Sequence, residues 1–242
     1  MRPMRRTPRP DPSRMRIAPA RYARRRRRHV RAPLVLLAAA MALTVAWVTW
    51  AALSLTGEAD RAGSTGSGEP AASDPRPTWR AGEVPRLYQT DPAWAELPYA
   101  GGTIAKNGCG PTCLAMAYVA LTGRTDRGPA EVAAFAERGG YVADGMTTWA
   151  LMTEGAAALG LSSEELPADE ASVRAALADG RPVICSMRPG DFTTTGHFIV
   201  LARLDADGRV VVRDPNSAER TAQTWDLDRV LDQCANLWAL SA

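Results

Sequence analysis

The sequence of 242 residues is short of histidine, cysteine and aromatic side chains, and each shortage narrows its chemistry. Only two histidines occur, and His29 sits in an arginine-rich N-terminal arm, so imidazole chemistry in a folded domain falls to His197. Zinc hydrolysis with two or three His ligands is thereby disfavoured, and no Cys-x-x-Cys pair offers thiolates in their place. The absence of a G-x-S-x-G elbow argues against a serine nucleophile. Four cysteines are too few for a disulfide scaffold. Acidic residues are nearly missing from residues 1–31, which hold 13 arginines against Asp11 alone, a local charge of +12, while the remainder carries −9. Folds that bind nucleic acid spread their cations over the face that meets phosphates, so this segregation argues against a nucleic-acid partner. No internal repeat is visible, and neither a metal nor a cofactor is expected.

What is present begins with a long uncharged run. Residues 32–55 contain no charged side chain, and about 20 apolar residues cross a bilayer core as a helix. Arginines crowd its N-terminal end and Glu58 and Asp60 follow it. The positive-inside rule then leaves a basic cytoplasmic arm over 1–31, a transmembrane signal anchor over 32–55 and an extracytoplasmic C-terminal part. Signal-peptide apolar cores usually span 7–15 residues before a small-x-small site, so an uncleaved anchor in the cell membrane is favoured over a secreted form. Residues 56–84, rich in Gly, Ser, Pro, Ala and Asp, read as a flexible linker.

Residues 85–242 restore hydrophobic periodicity and make one domain of ordinary size. Helices are expected over 110–121, 129–138, 147–159 and 169–178, the second opened by Pro129 and stopped by Gly139-Gly140. The pattern then turns to strands at 181–187, 197–204, 208–214 and 236–241, with a short helix at 227–233. Helices followed by an antiparallel sheet indicate an α+β fold.

Cys109 lies in Asn107-Gly108-Cys109-Gly110-Pro111-Thr112, opening the first helix. A thiol there feels the positive end of the helix dipole, which favours the nucleophilic thiolate. Gly108 and Gly110 are expected to leave room for a substrate backbone. His197 starts one strand and Asp214 ends the next, so Cys, His and Asp form a plausible nucleophile, base and orienting group for acyl transfer. A lone cysteine is more often a small buried hydrophobe, and spacing alone leaves both readings open.

Tyr88-Gln89-Thr90-Asp91 with Trp94, the Asn107 to Thr112 motif with Met116, the Gly145-Met146-Thr147 turn, Gly180 to Ile184, Gly196 to Leu201 and Val210 to Pro215 occur in an informative order. Together they resemble the stand-alone relatives of the bacteriocin-processing peptidases, peptidase family C thirty-nine. The resemblance covers essentially the whole domain. It implies a papain-like fold in which Cys109 attacks, His197 is base and then acid, Asp214 orients the imidazole, and Gln89 donates its amide to the oxyanion. Fixed N–H donors suit a developing oxyanion, and the Cys109 backbone N–H is a second candidate. Position 113, usually small in relatives, is here a second cysteine. The implied function is a membrane-anchored cysteine peptidase or amide hydrolase acting on peptides or cell-wall peptide; a catalytically silent envelope-binding domain on the same fold is the alternative.

Asn216 competes with Asp214 as orienting group, because papain-like triads can use Asn. Cys113 is expected in the core, Cys185 and Cys234 are candidates to pair, and Trp149, Trp225 and Trp238 are expected to be core. The hairpin between the last two site strands makes a geometric demand. A two-residue Asp207-Gly208 turn would put Asp214 opposite Leu201, about 13 Å from His197 at about 3.3 Å per residue. A four-residue connection pairing Arg203 with Gly208 sets His197 directly opposite Asp214, so the triad is expected to need the longer loop. A two-residue shift keeps the pair diagonal, and a one-residue shift turns Asp214 to the other face.

Overall fold

The computed structural model describes residues 72–242. The basic arm and the apolar run at 32–55 lie outside the described residues, among which no helix is long and apolar enough to cross a membrane.

The elements run β1 (Pro98–Tyr99), β2 (Gly102–Thr103), α1 (Ile104–Asn107), α2 (Cys109–Thr122), α3 (Pro129–Arg138), β3 (Val142–Ala143) and β4 (Met146–Thr147). They continue through α4 (Glu154–Ala158), β5 (Ser162–Glu165), α5 (Glu170–Ala178), β6 (Val183–Met187), β7 (His197–Leu204) and β8 (Val210–Arg213). The chain closes with α6 (Ala218–Ala222), β9 (Thr224–Trp225), α7 (Leu227–Leu231) and β10 (Cys234–Ser241). Six strands form one antiparallel sheet in the order β5-β10-β6-β7-β8-β9. This α+β arrangement with a large antiparallel sheet is consistent with the papain-like expectation.

Two apolar cores flank the sheet, and β7 feeds both by strand alternation. Phe198 and Val200 join the core built on α2 with Leu114, Met116 and Trp238, while Ile199 and Leu201 join the core with Val173, Val212 and Val230. Burial on both sides explains why β6 and β7 read as nearly continuous apolar runs. Helix α2 is apolar all round for the same reason, with eleven of its fourteen residues buried. Pro111 falls in its first turn, where a missing N–H costs nothing.

Several expectations shift. The packed chain reaches back before residue 85, because Trp79 and Val84 are buried in the α2 core and Asp74 pairs with Arg86 at 2.6 Å. The helix expected over 147–159 is broken: β4 and a 3-10 turn at Trp149–Met152 precede the five-residue α4, and Thr153 departs from helical geometry at φ −111, ψ −81. Short strands β5 and β9 extend the sheet beyond the strands legible in the sequence.

The β7–β8 hairpin follows neither expected loop. Leu204 pairs with Val210, and Asp205 N–H reaches Arg209 O at 2.8 Å, so residues 206–208 form a three-residue connection. Arg203 then pairs with Val211 but Leu201 pairs with Val212, so Ala202 is an extra residue in β7, a β-bulge. Carried straight from the turn, the register would set Asp214 level with Val200 and on the face opposite His197. The bulge restores parity: Asp214 falls level with Ile199, two residues from His197 and on its face.

Candidate active site

Cys109 is the first residue of α2 and is half-buried. Burial alone would raise its thiol. Hydrogen bonding and charge attraction from His197, then the backbone N–H groups of Phe198 and Gly110, instead carry it below the ordinary thiol range. The thiol is thus gripped between the start of its own helix and the start of β7.

His197 is 8% exposed and Asp214 1%, so their contact is dry. His197 Nε2 meets Asp214 Oδ1 at 2.8 Å, which leaves Nδ1 for the side-chain hydrogen bond to Cys109. Desolvation would push the imidazole pKa down, but Asp214 and then Cys109 push it up to about 10. A low thiol beside a high imidazole is the signature of a thiolate–imidazolium pair.

The carboxylate is pinned from three sides. Besides His197, the Asn216 backbone N–H donates to Oδ1 at 2.8 Å and Arg220 Nε donates to Oδ2 at 2.5 Å. Burial alone would raise this carboxyl, yet His197 and Arg220 hold it below the usual carboxylate range. Its backbone is fixed as well, since Asp214 N–H donates to Thr221 Oγ1 at 2.9 Å. The competing group, the Asn216 side chain, is exposed, and Asn216 serves through its backbone. Arg220 was not legible as a site residue: it stands six positions beyond Asp214, on a helix whose periodicity gives no strong signal.

Gln89 is 2% exposed, and its backbone N–H bonds Pro215 O at 2.8 Å, which ties it to the chain leaving Asp214. Its amide Nε2 donates to Ala105 O at 2.7 Å, four residues before Cys109, while Oε1 is buried without a partner. Exchanging the amide atoms would set two carbonyl oxygens against each other, so the NH2 group belongs on the Ala105 side, where one N–H remains for a ligand.

The glycines around the thiol do not make room for substrate. A Cβ on Gly110 would meet Thr147 Cγ2 at 2.6 Å, and one on Gly108 would meet Ile104 O at 2.5 Å. Both are glycine because protein already occupies the space. Among the other thiols, Cys113 is fully buried and pushed well above its ordinary value by burial, then by the charges of Cys109 and Asp214. Cys185 is raised well above the ordinary range by its hydrogen bond with Cys234 and by burial, and both thiols are free. Trp238 is core as expected, but Trp149 is 48% exposed. Among the described residues no cluster of His, Cys, Asp and Glu is arranged to hold a metal ion.

The family model described as Peptidase_C39 like family matches residues 82–241. The chain belongs to the Peptidase_C39 like family. Its match begins near Gly82, just after the buried Trp79, and runs to the end of β10. No curated protein matches the chain. Among solved structures, this member of the family is similar to the peptidase domain of Streptococcus ComA, a bifunctional ABC transporter involved in quorum sensing. The identity is 17% and the TM-score 0.41, over 56% of this chain and 90% of that one.

Proposed function

We propose that the chain is a membrane-anchored, extracytoplasmic cysteine peptidase or amide hydrolase acting on peptides or the peptide part of the cell wall. The observation that carries the reading is the buried contact of His197 with Asp214 beside a half-buried thiol whose pKa is lowered. The Cys109 thiolate attacks the amide carbon, and the carbonyl oxygen takes the charge, with the remaining Gln89 N–H and the Cys109 N–H as its donors. The imidazolium of His197 gives its Nδ1 proton to the departing amine as the C–N bond breaks, leaving a thioester. Water then attacks that carbon, His197 takes its proton, and rupture of the C–S bond releases the acid and restores the thiolate. Asp214 holds the ring and stabilises its charged form without taking the proton.

Export and anchoring rest on the +12 arm beside the uncharged run at 32–55. A reporter fused after Ala242 checks this: activity of a cytoplasm-only reporter contradicts the orientation. For the chemistry, hydrolysis of peptides by the full chain is expected to vanish in Cys109→Ala. Cleavage that survives this change overturns the assignment.

A further inference from the structure

A cavity of about 540 Å³ lies between residues 74–88, the end of β8 and helix α6, and none of Cys109, His197, Asp214 or Gln89 lines it. Its size suits a small organic ligand or the end of a peptide better than a lone ion. Three arginines and two acids line it, a formal charge of +1.

Two of the arginines are already neutralised. Arg80 pairs with Glu83. Arg86 occupies both oxygens of Asp74: its Nε and Nη2 meet Oδ1 at 3.0 and 2.6 Å, and its backbone N–H meets Oδ2 at 2.7 Å. The third, Arg213, forms no ion pair with a carboxylate among the described residues. Its Nε donates to Val84 O at 3.2 Å, which fixes the side chain, and its Nη1 and Nη2 have no acceptor among the described residues. Arg213 is half-buried, and desolvation, then the charges of Arg86 and Arg203, lower its pKa from the ordinary range. The cavity thus holds one cation short of an anion.

The chemistry of that anion follows from the wall. The two Nη atoms are the end of the guanidinium left on offer, a planar fork that matches the two oxygens of a carboxylate. One net positive charge is balanced by a monoanion, whereas a dianionic phosphate would meet Asp74 and Glu83 with charge to spare. The buried rings of Trp79 and Tyr88, with Pro85, add apolar surface beside the cation, which suits an anion carried on an apolar body. The cavity also has a definite place relative to the triad. Thr221, in its wall, accepts from the Asp214 N–H at 2.9 Å and donates back to Asp214 O at 3.3 Å, so an occupant rests behind the orienting carboxylate and not at the thiol.

We infer that this cavity is a second binding site, which takes the C-terminal carboxylate of a peptide on Arg213 and its last side chain against Trp79 and Tyr88. The inference stands apart from the peptidase reading, because it uses no group of the thiol site.

The test is calorimetric titration of the full Cys109→Ala chain in detergent, a background in which no probe is consumed through the thiol. The probes are N-acetyl-alanyl-leucine with a free carboxylate, the same dipeptide as its C-terminal amide, acetate, and inorganic phosphate. The free acid is expected to bind about tenfold to hundredfold more tightly than the amide, the range for losing hydrogen bonds to a charged group, with acetate and phosphate weaker than the acid. Arg213→Gln should lower affinity for the acid by a similar factor and leave the amide unchanged. Arg213→Lys, which keeps the charge but not the fork, should fall between. Arg138→Gln, at an exposed position of α3, should leave every affinity unchanged. Thermal melting reports whether each variant folds, and if Arg213→Gln does not, the acid–amide difference decides alone. Equal binding of acid and amide overturns the site, as does undiminished acid binding in a folded Arg213→Gln chain or no binding of the acid at millimolar concentration. Acetate as tight as the dipeptide acid overturns the peptide source, and phosphate tighter than the acid overturns the carboxylate. Each of these results leaves the hydrolysis test of Cys109 standing.

Discussion

The two halves of the β7–β8 hairpin share their strands but not their register. In the turn half, Leu204 faces Val210 and Arg203 faces Val211; in the site half, Leu201 faces Val212 and Val200 faces Arg213. The difference is one residue, Ala202, and it decides which face of the sheet Asp214 joins. The turn half alone would build a sound hairpin and no triad. The bulge converts a three-residue loop, whose parity is wrong for catalysis, into a hairpin that sets a carboxylate 2.8 Å from the imidazole.

The largest effect is expected from removing that distinction. Deleting Ala202 extends the turn-half register to the site and turns Asp214 away, so peptide hydrolysis should fall about 10⁴-fold, as when a triad loses its orienting carboxylate. Asp214→Asn should cost a similar factor while leaving the register alone, and comparing the two by steady-state kinetics separates parity from charge. Shortening the loop at residues 206–208 by one residue, which leaves the pairs on either side intact, should change the rate by less than about twofold if position within the hairpin matters as described.

Gln89→Ala comes next, at about 10²–10³ in kcat, the usual consequence of losing one oxyanion donor. Arg220→Ala leaves Asp214 Oδ2 buried without its donor. Losing a hydrogen bond to a charged group implies about a tenfold to hundredfold loss of kcat/KM, with Arg220→Lys recovering part of it. The smallest effect belongs to the turn half: Arg203→Ala removes an exposed side chain and should leave the rate within about twofold.

Which residues would meet was easier to read from the sequence than the register that brings them together. Cys109, His197 and Asp214 were legible because two histidines left one candidate base, and because the helix start and the two strand ends stood out by composition. Helix α3 was bounded correctly by Pro129 and Gly139. The bulge was not legible, since Ala202 in an unbroken apolar run gives no sign of being the extra residue. Gly108 and Gly110 misled because a glycine looks the same whether space is left for substrate or filled by Ile104 and Thr147. The Trp149 error has a similar root: tryptophan is usually core, and only the break between β4 and α4 turns this one outward. Arg220 was missed because its partner is reached through the turn at Asn216, a contact with no sequence period.

The central claim, that Cys109 and His197 form an ion pair held by Asp214, is tested most directly by the pH dependence of Cys109 alkylation beside that of peptide hydrolysis. The thiol lies below its ordinary range and the imidazole at about 10. Alkylation should therefore rise at a pH below the unperturbed thiol value of about 8.5 and persist above pH 10, where the thiolate remains. Hydrolysis should share the acid limb but fall above about pH 10, where His197 loses the proton that the leaving amine needs. In His197→Ala the alkylation midpoint should move up toward the unperturbed value. A Cys109 that alkylates with a midpoint near 8.5 in both proteins would contradict the account.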